Sequence, residues 1–179
     1  MNKHFQTGKH VLIRPPTPAD EGELLALNQA SVDFHHPWVA PPTTTESFAG
    51  YLERCARPEN VGMLICRIAD NAVMGMITIS QIFYGPLCSA YIGYSIGAPF
   101  ARQGAMAAAL GLALDHAFSQ LALHRIEANI QPANSASIAA VRRLGFTREG
   151  FSRRYLYIDG DWRDHERWAM LSEDWASDG

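Results

Sequence analysis

The sequence predicts an α+β fold: a mixed, mainly antiparallel sheet of roughly seven strands with helices on both faces. Three consecutive segments between residues 63 and 96 are rich in β-branched and aromatic residues. Turn-forming residues separate them, which predicts an antiparallel meander. Beyond residue 100, helical segments alternate with strands. A meander followed by this alternation indicates a mixed sheet covered by helices.

Each predicted element has its own local signal. The strands are predicted at residues 11–14, 63–68, 73–82, 89–96, 124–130, 147–158 and 162–171, the last two joined by the hairpin turn Asp159-Gly160. The first helix opens with Thr17 as its N-cap, and the second opens with a capping box from Thr43 to Glu46 and ends near residue 57. Two more helices are predicted at 104–120 and 135–144.

Composition places the chain in the class of single globular domains, spanning residues 1–179. The formal net charge is −3 and neither half is basic, so no nucleic-acid partner is expected. The polar start, residues 1–10, lacks the apolar core of a signal peptide, and no apolar stretch is long enough to span a bilayer. Three cysteines without paired spacing favour free thiols in a reducing compartment. We therefore expect a cytoplasmic protein without membrane contact, and the histidines share no spacing typical of a metal site.

The turn that opens the helix at residue 104 is the first functional signal. A strand ends near Gly97, and Arg102-Gln103-Gly104-Ala105-Met106 then leads into an alanine-rich helix. N–H groups at a helix start carry partial positive charge, and a glycine lets the backbone close around an anion such as a pyrophosphate. A glycine in this position is also common in ordinary loops, and neither a Walker loop nor a dinucleotide fingerprint is present.

Glycines in the preceding strand are the second signal. Gly93 and Gly97 suggest a bulge or a place where a ligand approaches the backbone. A strand splayed from its neighbour would expose unpaired amides, to which the peptide-like amides of pantetheine could add as a further strand does.

These features resemble the GCN5-related N-acetyltransferase (GNAT) superfamily, whose cofactor motif is Gln/Arg-x-x-Gly-x-Gly/Ala. Here the motif begins with Ala101 and ends with Met106, while the central Gly104 is present. The block from Asn134 through Ser137 to Gly145-Phe146 resembles the second motif of the superfamily. The resemblance implies acetyl-CoA as co-substrate. It also implies a set of cofactor-binding residues: Tyr94, Ser95, Ile96, Arg102, Gln103, Gly104, Ala105, Met106, Ala107, Asn134 and Ser137.

Two further segments narrow the resemblance. The block 155–165 and His36-Pro37-Trp38 are similar to ribosomal-protein-alanine acetyltransferases of the RimJ and RimL type. The resemblance covers residues 11–175, nearly the whole chain. It implies transfer of an acetyl group to a protein N-terminal α-amine by direct attack in a ternary complex.

The resemblance also defines catalytic candidates. Ser137 is expected to face the sulfur and protonate the departing thiolate, while backbone N–H groups near Tyr94 are expected to bind the thioester carbonyl. Tyr91 occupies the position where many relatives carry a glutamate base. Asp164 stands in a polar cluster with its two neighbours near the end of the last strand, a pattern that also fits a solvated strand edge. His165 has a pKa range suited to proton transfer but equally fits a structural histidine.

Three functions remain open at this point. The first is acetylation of a protein N-terminus, such as that of a ribosomal protein, and the second is acetylation of a small amine such as an antibiotic, polyamine or amino acid. The third is a non-catalytic module that binds acyl-CoA. The chain is expected to act as a monomer or homodimer.

Overall fold

The computed structural model describes residues 5–177. Eight strands form one sheet in the order β1-β2-β3-β4-β5-β6-β8-β7. The strands are β1 (Gln6–Thr7), β2 (Val11–Arg14), β3 (Val61–Arg67), β4 (Val73–Phe83), β5 (Ser89–Ile96), β6 (Arg125–Ile130), β7 (Thr147–Ile158) and β8 (Asp161–Leu171). All neighbours are antiparallel except β5 and β6, which run parallel. The fold class predicted from the sequence is therefore confirmed.

Six helices connect or follow these strands. They are α1 (Glu21–Gln29), α2 (Val32–His35), α3 (Thr45–Cys55), α4 (Ala105–Ser119), α5 (Ser135–Arg143) and α6 (Ser172–Ser177), with short 3-10 turns at Pro18–Asp20 and Ala98–Phe100. The helix α4 is the crossover that a parallel β5–β6 pair requires. No helix in the described part of the chain is both long and apolar enough to cross a membrane.

Strand alternation divides the core into two layers. Ile13, Ile65 and Ile126 point to one face, where α4 and Val141 of α5 cover them. Their neighbours on the other pleat, such as Leu12 and Leu64, pack against α1 and α3 through Leu24 and Phe48. Burial of these alternating side chains fixes the register of the sheet, because a slip by one residue would exchange the two faces. Helices therefore lie on both faces of the sheet.

Local differences from the sequence prediction have simple causes. The sheet has eight strands rather than seven, because the two residues of β1 pair with β2 through main-chain contacts that side-chain pattern does not reveal. The α3 capping box uses Thr44 and Ser47, one residue later than predicted, and α3 ends at Cys55. The first predicted helix begins as a 3-10 turn at Pro18–Asp20, in which the Thr17 N–H donates to Asp20 Oδ2 at 2.7 Å.

Gly93 and Gly97 do not form a bulge, which was one of the two possibilities that the sequence left open. Pairing of β5 with β4 is regular from Gly75↔Ile96 to Ser80↔Tyr91 and shifts only between Ser80 and Phe83. Gly97 is required for another reason: a Cβ there would lie 2.3 Å from Leu27 Cδ1 of α1. The glycine thus allows α1 to pack directly on the end of β5.

Candidate active site

The central feature of the site is a gap between β5 and β6. These parallel strands pair only at Ser89↔Arg125, Ala90↔Ile126 and Tyr91↔Glu127, although β5 continues to Ile96 and β6 to Ile130. Beyond Tyr91 the two strands diverge, as the splayed strand predicted from the sequence requires. A cavity of about 900 Å³ fills the gap and reaches both faces of the sheet.

Main-chain groups of β5 line this gap. Gly97 N–H donates to a carbonyl of β4, whereas the Cys88 carbonyl accepts from the first residue of β6. Since main-chain groups alternate in direction along a strand, those of Tyr94 and Ile96 face the gap. The Ser95 carbonyl instead lies against β4, so the main chain of Ser95 does not face the gap, although the sequence placed Ser95 among the cofactor-binding residues. Tyr94 N–H is left as a donor without a partner strand on the gap side.

At one end the cavity reaches the start of α4. Gly104 is the N-cap of α4 and adopts φ +78°, a left-handed conformation that costs other residues more. The first turn of α4 contributes Ala105, Met106 and Ala107 to the cavity wall. Free N–H groups at this helix start therefore face the cavity, in the arrangement that binds phosphate groups.

Two arginines line the same end. Arg102 precedes the glycine turn, and Arg143 lies in the last turn of α5. Guanidinium groups suit phosphate because they donate two parallel hydrogen bonds. Gln103 is turned away from the cavity, and its Nε2 donates to the Pro99 carbonyl at 2.8 Å. Gln103 thus holds the turn, whereas the sequence prediction placed it among the cofactor-binding residues.

The start of α5 carries Asn134 and Ser137 into the cavity wall. Asn134 caps α5, with its Oδ1 accepting from Ser137 N–H at 3.1 Å. Ser137 Oγ shares a hydrogen bond of 2.5 Å with the Tyr94 hydroxyl, which joins α5 to β5 across the gap. Burial raises the pKa of Tyr94 to about 12, so its hydroxyl keeps its proton at neutral pH.

The main chain of β5 and the starts of α4 and α5 form the first wall of the cavity. A second wall lies on the opposite face of the sheet. Residues 34–42, α3 and the β7–β8 hairpin surround it, and Gln131 Nε2 fixes the loop by donating to the Pro37 carbonyl at 2.9 Å and the Trp38 carbonyl at 3.3 Å. Phe34 and Leu156 line this wall while remaining 45% and 38% exposed. The cavity therefore opens to solvent on this face through an apolar rim.

The second wall carries unpaired polar atoms. His35 Nδ1 and Asn129 Oδ1 are buried without a hydrogen-bond partner among the described residues, and both residues line the cavity. His35 Nε2 lies 2.8 Å from the Ile96 carbonyl, which can only accept, so Nδ1 of the neutral ring is an acceptor. Buried polar atoms without partners are costly, and their clustering indicates a place where a ligand supplies the missing bonds.

The structure separates two other catalytic candidates from the cavity. The Tyr91 hydroxyl lies 3.5 Å from that of Tyr155, and this contact together with burial raises the Tyr91 pKa to about 12. Asp164 is exposed and accepts a hydrogen bond from Arg154 N–H at 2.7 Å, which holds the irregular part of β7. Neither side chain lines the cavity, whereas His165, the residue after Asp164, does.

Sequence reasoning missed most of the second wall. Asn129 and Gln131 alternate with the buried residues Ala128 and Ile130. That pattern is typical of a strand whose polar face is solvated. Only the divergence of β5 from β6 turns this polar face of β6 into a cavity lining, and the sequence of β6 itself carries no sign of that divergence. The group of His/Cys/Asp/Glu side chains that a metal site needs does not occur within residues 5–177.

Comparison with known proteins agrees with this architecture. Residues 10–147 match the model of the acetyltransferase (GNAT) domain family. The chain is 31% identical over 175 residues to a Bacillus subtilis (strain 168) protein named "Probable N-acetyltransferase YjcK", covering 93% of this chain and 97% of that protein. It is 38% identical over 107 residues to the [ribosomal protein uS5]-alanine N-acetyltransferase of Escherichia coli (strain K12), covering 60% of this chain and 55% of that protein.

A solved structure extends the likeness to three dimensions. Mycobacterium smegmatis RimJ, in complex with CoA-disulfide, superposes with a TM-score of 0.84 at 31% identity, covering 92% of this chain and 83% of that one. The family match spans most of the chain and includes both β5 and the α4 turn. The chain belongs to the GNAT family of acetyl-CoA-dependent N-acetyltransferases.

Proposed function

We propose that the protein transfers the acetyl group of acetyl-CoA to the α-amino group at the N-terminus of a protein, such as a ribosomal protein, in a ternary complex. The observation that carries this proposal is the second cavity wall. It offers neutral hydrogen-bond acceptors, and no Asp or Glu side chain from residues 5–177 lines the cavity. RimJ-type relatives, one of them named for alanine acetylation of a ribosomal protein, support the same acceptor class.

Lack of carboxylates favours an amine that loses its proton easily. A cavity without negative charge stabilises –NH₂ over –NH₃⁺, so the amine must be deprotonated on binding. An α-amino group has a pKa of about 8 and a lysine about 10.4, a difference of roughly 3 kcal/mol in the cost of deprotonation. A polyamine would also bring further positive charges without partners. These costs favour a protein N-terminus over lysine or a polyamine.

The open rim favours a peptide over a small enclosed molecule. Phe34 and Leu156 leave an apolar edge through which an extended chain can leave the cavity. Small-amine acetylation, the alternative, requires no such exit. The rim therefore supports an acceptor that continues into solvent beyond its reacting amine.

The first wall fits acetyl-CoA. The α4 turn with Arg102 and Arg143 suits its phosphates, and the exposed main chain of β5 suits the amides of pantetheine. When bound, acetyl-CoA supplies the thioester and the thiolate leaving group. Tyr94 N–H is then the donor for the carbonyl oxygen, and the Tyr94–Ser137 hydroxyl pair donates to the sulfur.

A thiol-release assay tests the proposal. Peptides beginning with Ala or Ser, the same peptides with a blocked N-terminus, and a panel containing polyamines, amino acids and aminoglycosides are compared with acetyl-CoA as donor. Release with free-N-terminus peptides only is the expected result. Turnover confined to small amines would establish the alternative function, and tight acetyl-CoA binding without any turnover would leave only a binding module.

A further inference from the structure

Neither Tyr91 nor Asp164 is placed to receive the proton of the attacking amine. Tyr91 occupies the position where many relatives carry a glutamate, and its hydroxyl is engaged with Tyr155. Asp164 is exposed and bound to the β7 main chain. The chemistry still requires an acceptor for this proton close to the gap.

Asn129 is the polar side chain at the point where the gap opens. It lies two residues beyond Glu127, the last residue of β6 that pairs with β5. Its neighbours Ala128 and Ile130 are in the core beneath α4, so Asn129 points to the opposite face. The Asn129 residue lines the cavity, and its Oδ1 is buried and has no hydrogen-bond partner among residues 5–177. The hydrogen-bonding capacity of this oxygen is therefore unused at the edge of the gap.

His165 lies beside Asn129 on the same face. Asn129 pairs with Arg167 across β6 and β8, so His165 is the diagonal neighbour, at a typical distance of roughly 7–8 Å between Cα atoms. His165 lines the cavity and is only 1% exposed. A side chain buried this deeply has a fixed orientation, which a proton acceptor needs.

Hydrogen bonding defines the tautomer of His165. Its Nδ1 lies 2.9 Å from the Arg163 carbonyl, and a carbonyl can only accept, so Nδ1 carries the hydrogen. In the neutral ring Nε2 therefore has the free lone pair. Burial lowers the pKa of His165, which outweighs the opposing effects of the Arg163 carbonyl and the Asp164 charge, and the ring is neutral at pH 7.

The side chains around the His165 ring are mostly groups that do not titrate near neutral pH. The Tyr155 ring of β7 contacts the His165 ring edge-on, at 6.2 Å between centroids, and Tyr91 of β5 lies behind Tyr155. Arg167 follows His165 on the same face of β8, and Asp164 precedes it on the exposed side. His165 is thus the imidazole in this group of side chains, and its pKa is lowered by burial.

We propose that Asn129 Oδ1 binds the acceptor amine and that His165 Nε2 is the general base, a role that rests on the proposed acetyl transfer. The amine lone pair forms the N–C bond, and the C–S bond breaks with its electron pair leaving on sulfur. The amine proton passes to His165 Nε2, directly or through one water, and the thiolate receives its proton from the Tyr94–Ser137 side. Solvent then returns both groups to their starting protonation states.

The variant His165→Asn tests this role. Its amide can still donate to the Arg163 carbonyl but cannot act as a base. We expect kcat to fall by about 10²–10⁴, with acetyl-CoA affinity unchanged, and the acidic limb of the kcat–pH profile to disappear. His116→Gln, at a buried histidine of α4 outside the cavity, is the matched control and keeps the wild-type rate and profile.

Rescue distinguishes a base from a structural residue. Imidazole added to His165→Gly should restore part of kcat, and Asn129→Leu should raise KM for the acceptor while leaving acetyl-CoA affinity unchanged. Wild-type kcat in folded His165→Asn, or a loss that imidazole does not restore and that accompanies weaker acetyl-CoA binding, would overturn the role of His165. If the wild type acetylates only small amines, the peptide proposal fails, and the same variants test His165 with those amines.

Discussion

The two walls of the cavity differ in the groups that form them. The first wall, called the donor wall because it fits acetyl-CoA, relies mainly on main-chain groups of β5 and of the α4 start, with a few side chains beside them. The second wall, called the acceptor wall, uses side chains from several separate elements. Main-chain geometry follows from a strand and a glycine turn, and it suits a cofactor whose amides and phosphates do not vary. Side chains can be exchanged without altering the fold, so the acceptor wall is where specificity can change.

Tyr94→Phe should produce the largest effect, because the Tyr94 hydroxyl bonds to Ser137 across the gap. The variant removes the hydroxyl bound to Ser137 but keeps the main-chain N–H. We expect kcat to fall by about 10²–10⁴ through loss of proton donation to the thiolate. Acetyl-CoA affinity, measured by calorimetry, should be unchanged.

Tyr157→Phe is the control for this variant, since Tyr157 is exposed and lies outside the cavity. It should leave kcat unaltered. Equal rates for Tyr94→Phe and the wild type would show that the hydroxyl pair has no part in the reaction.

Gly104→Ala should affect the donor wall alone. A φ of +78° costs an alanine about 1–2 kcal/mol, so the free turn is expected to relax out of this conformation and binding must restore it. Acetyl-CoA should then bind roughly tenfold more weakly while peptide KM stays constant. Gly85→Ala introduces the same strain at φ +73° in a turn outside the cavity. That control should lower thermal stability without changing acetyl-CoA affinity, and a parallel loss of affinity in both variants would contradict the role of the α4 turn.

Gln131→Ala should affect the acceptor wall alone. It removes two hydrogen bonds that hold the loop at Pro37 and Trp38, together about 1–2 kcal/mol. Peptide KM should rise several-fold while acetyl-CoA affinity is kept. Gln120→Ala, at an exposed position after α4, is the control. A change in acetyl-CoA affinity instead of peptide KM would mean that the walls are not independent.

The smallest effect concerns stability and two buried histidines, one in α4 outside the cavity and one on the acceptor wall. Burial lowers the pKa of both His116 in α4 and His165 in β8. The unfolded chain, with a histidine pKa of about 6.5, then binds more protons than the folded one in mildly acidic solution. The free energy of unfolding should be constant above about pH 6.5 and fall as the pH is lowered below that value.

Denaturant unfolding at a series of pH values measures this fall. It should become shallower in His116→Gln and in His165→Asn, relative to the wild type. An unchanged slope in both variants would contradict the assignment of these histidines as neutral in the folded protein.

The contrast between the donor wall and the acceptor wall also explains which features the sequence could predict. The turn at Gly104 and the position of α5 each depend on neighbours in the chain, and local rules recover them. The eighth strand and the Thr44–Ser47 capping box show the usual uncertainty at element ends.

The acceptor wall is different because its residues meet only after the sheet forms. His35, Asn129 and His165 come from α2, β6 and β8, and none carries a local pattern that marks a site. Asp164 was the predicted catalytic residue in β8, yet strand alternation turns His165 into the cavity and leaves Asp164 exposed. A one-residue difference of this kind depends on sheet register, which the sequence does not specify alone.

The central claim is that the acceptor wall selects an α-amine. A single peptide with a free N-terminal alanine and an internal lysine tests it most directly, since both amines are then present at equal concentration. After incubation with acetyl-CoA, fragmentation mass spectrometry locates the acetyl group. The proposed function predicts the acetyl group on the N-terminal α-amine and none on lysine; acetylation of the lysine, or of neither amine while a polyamine is consumed, would contradict it.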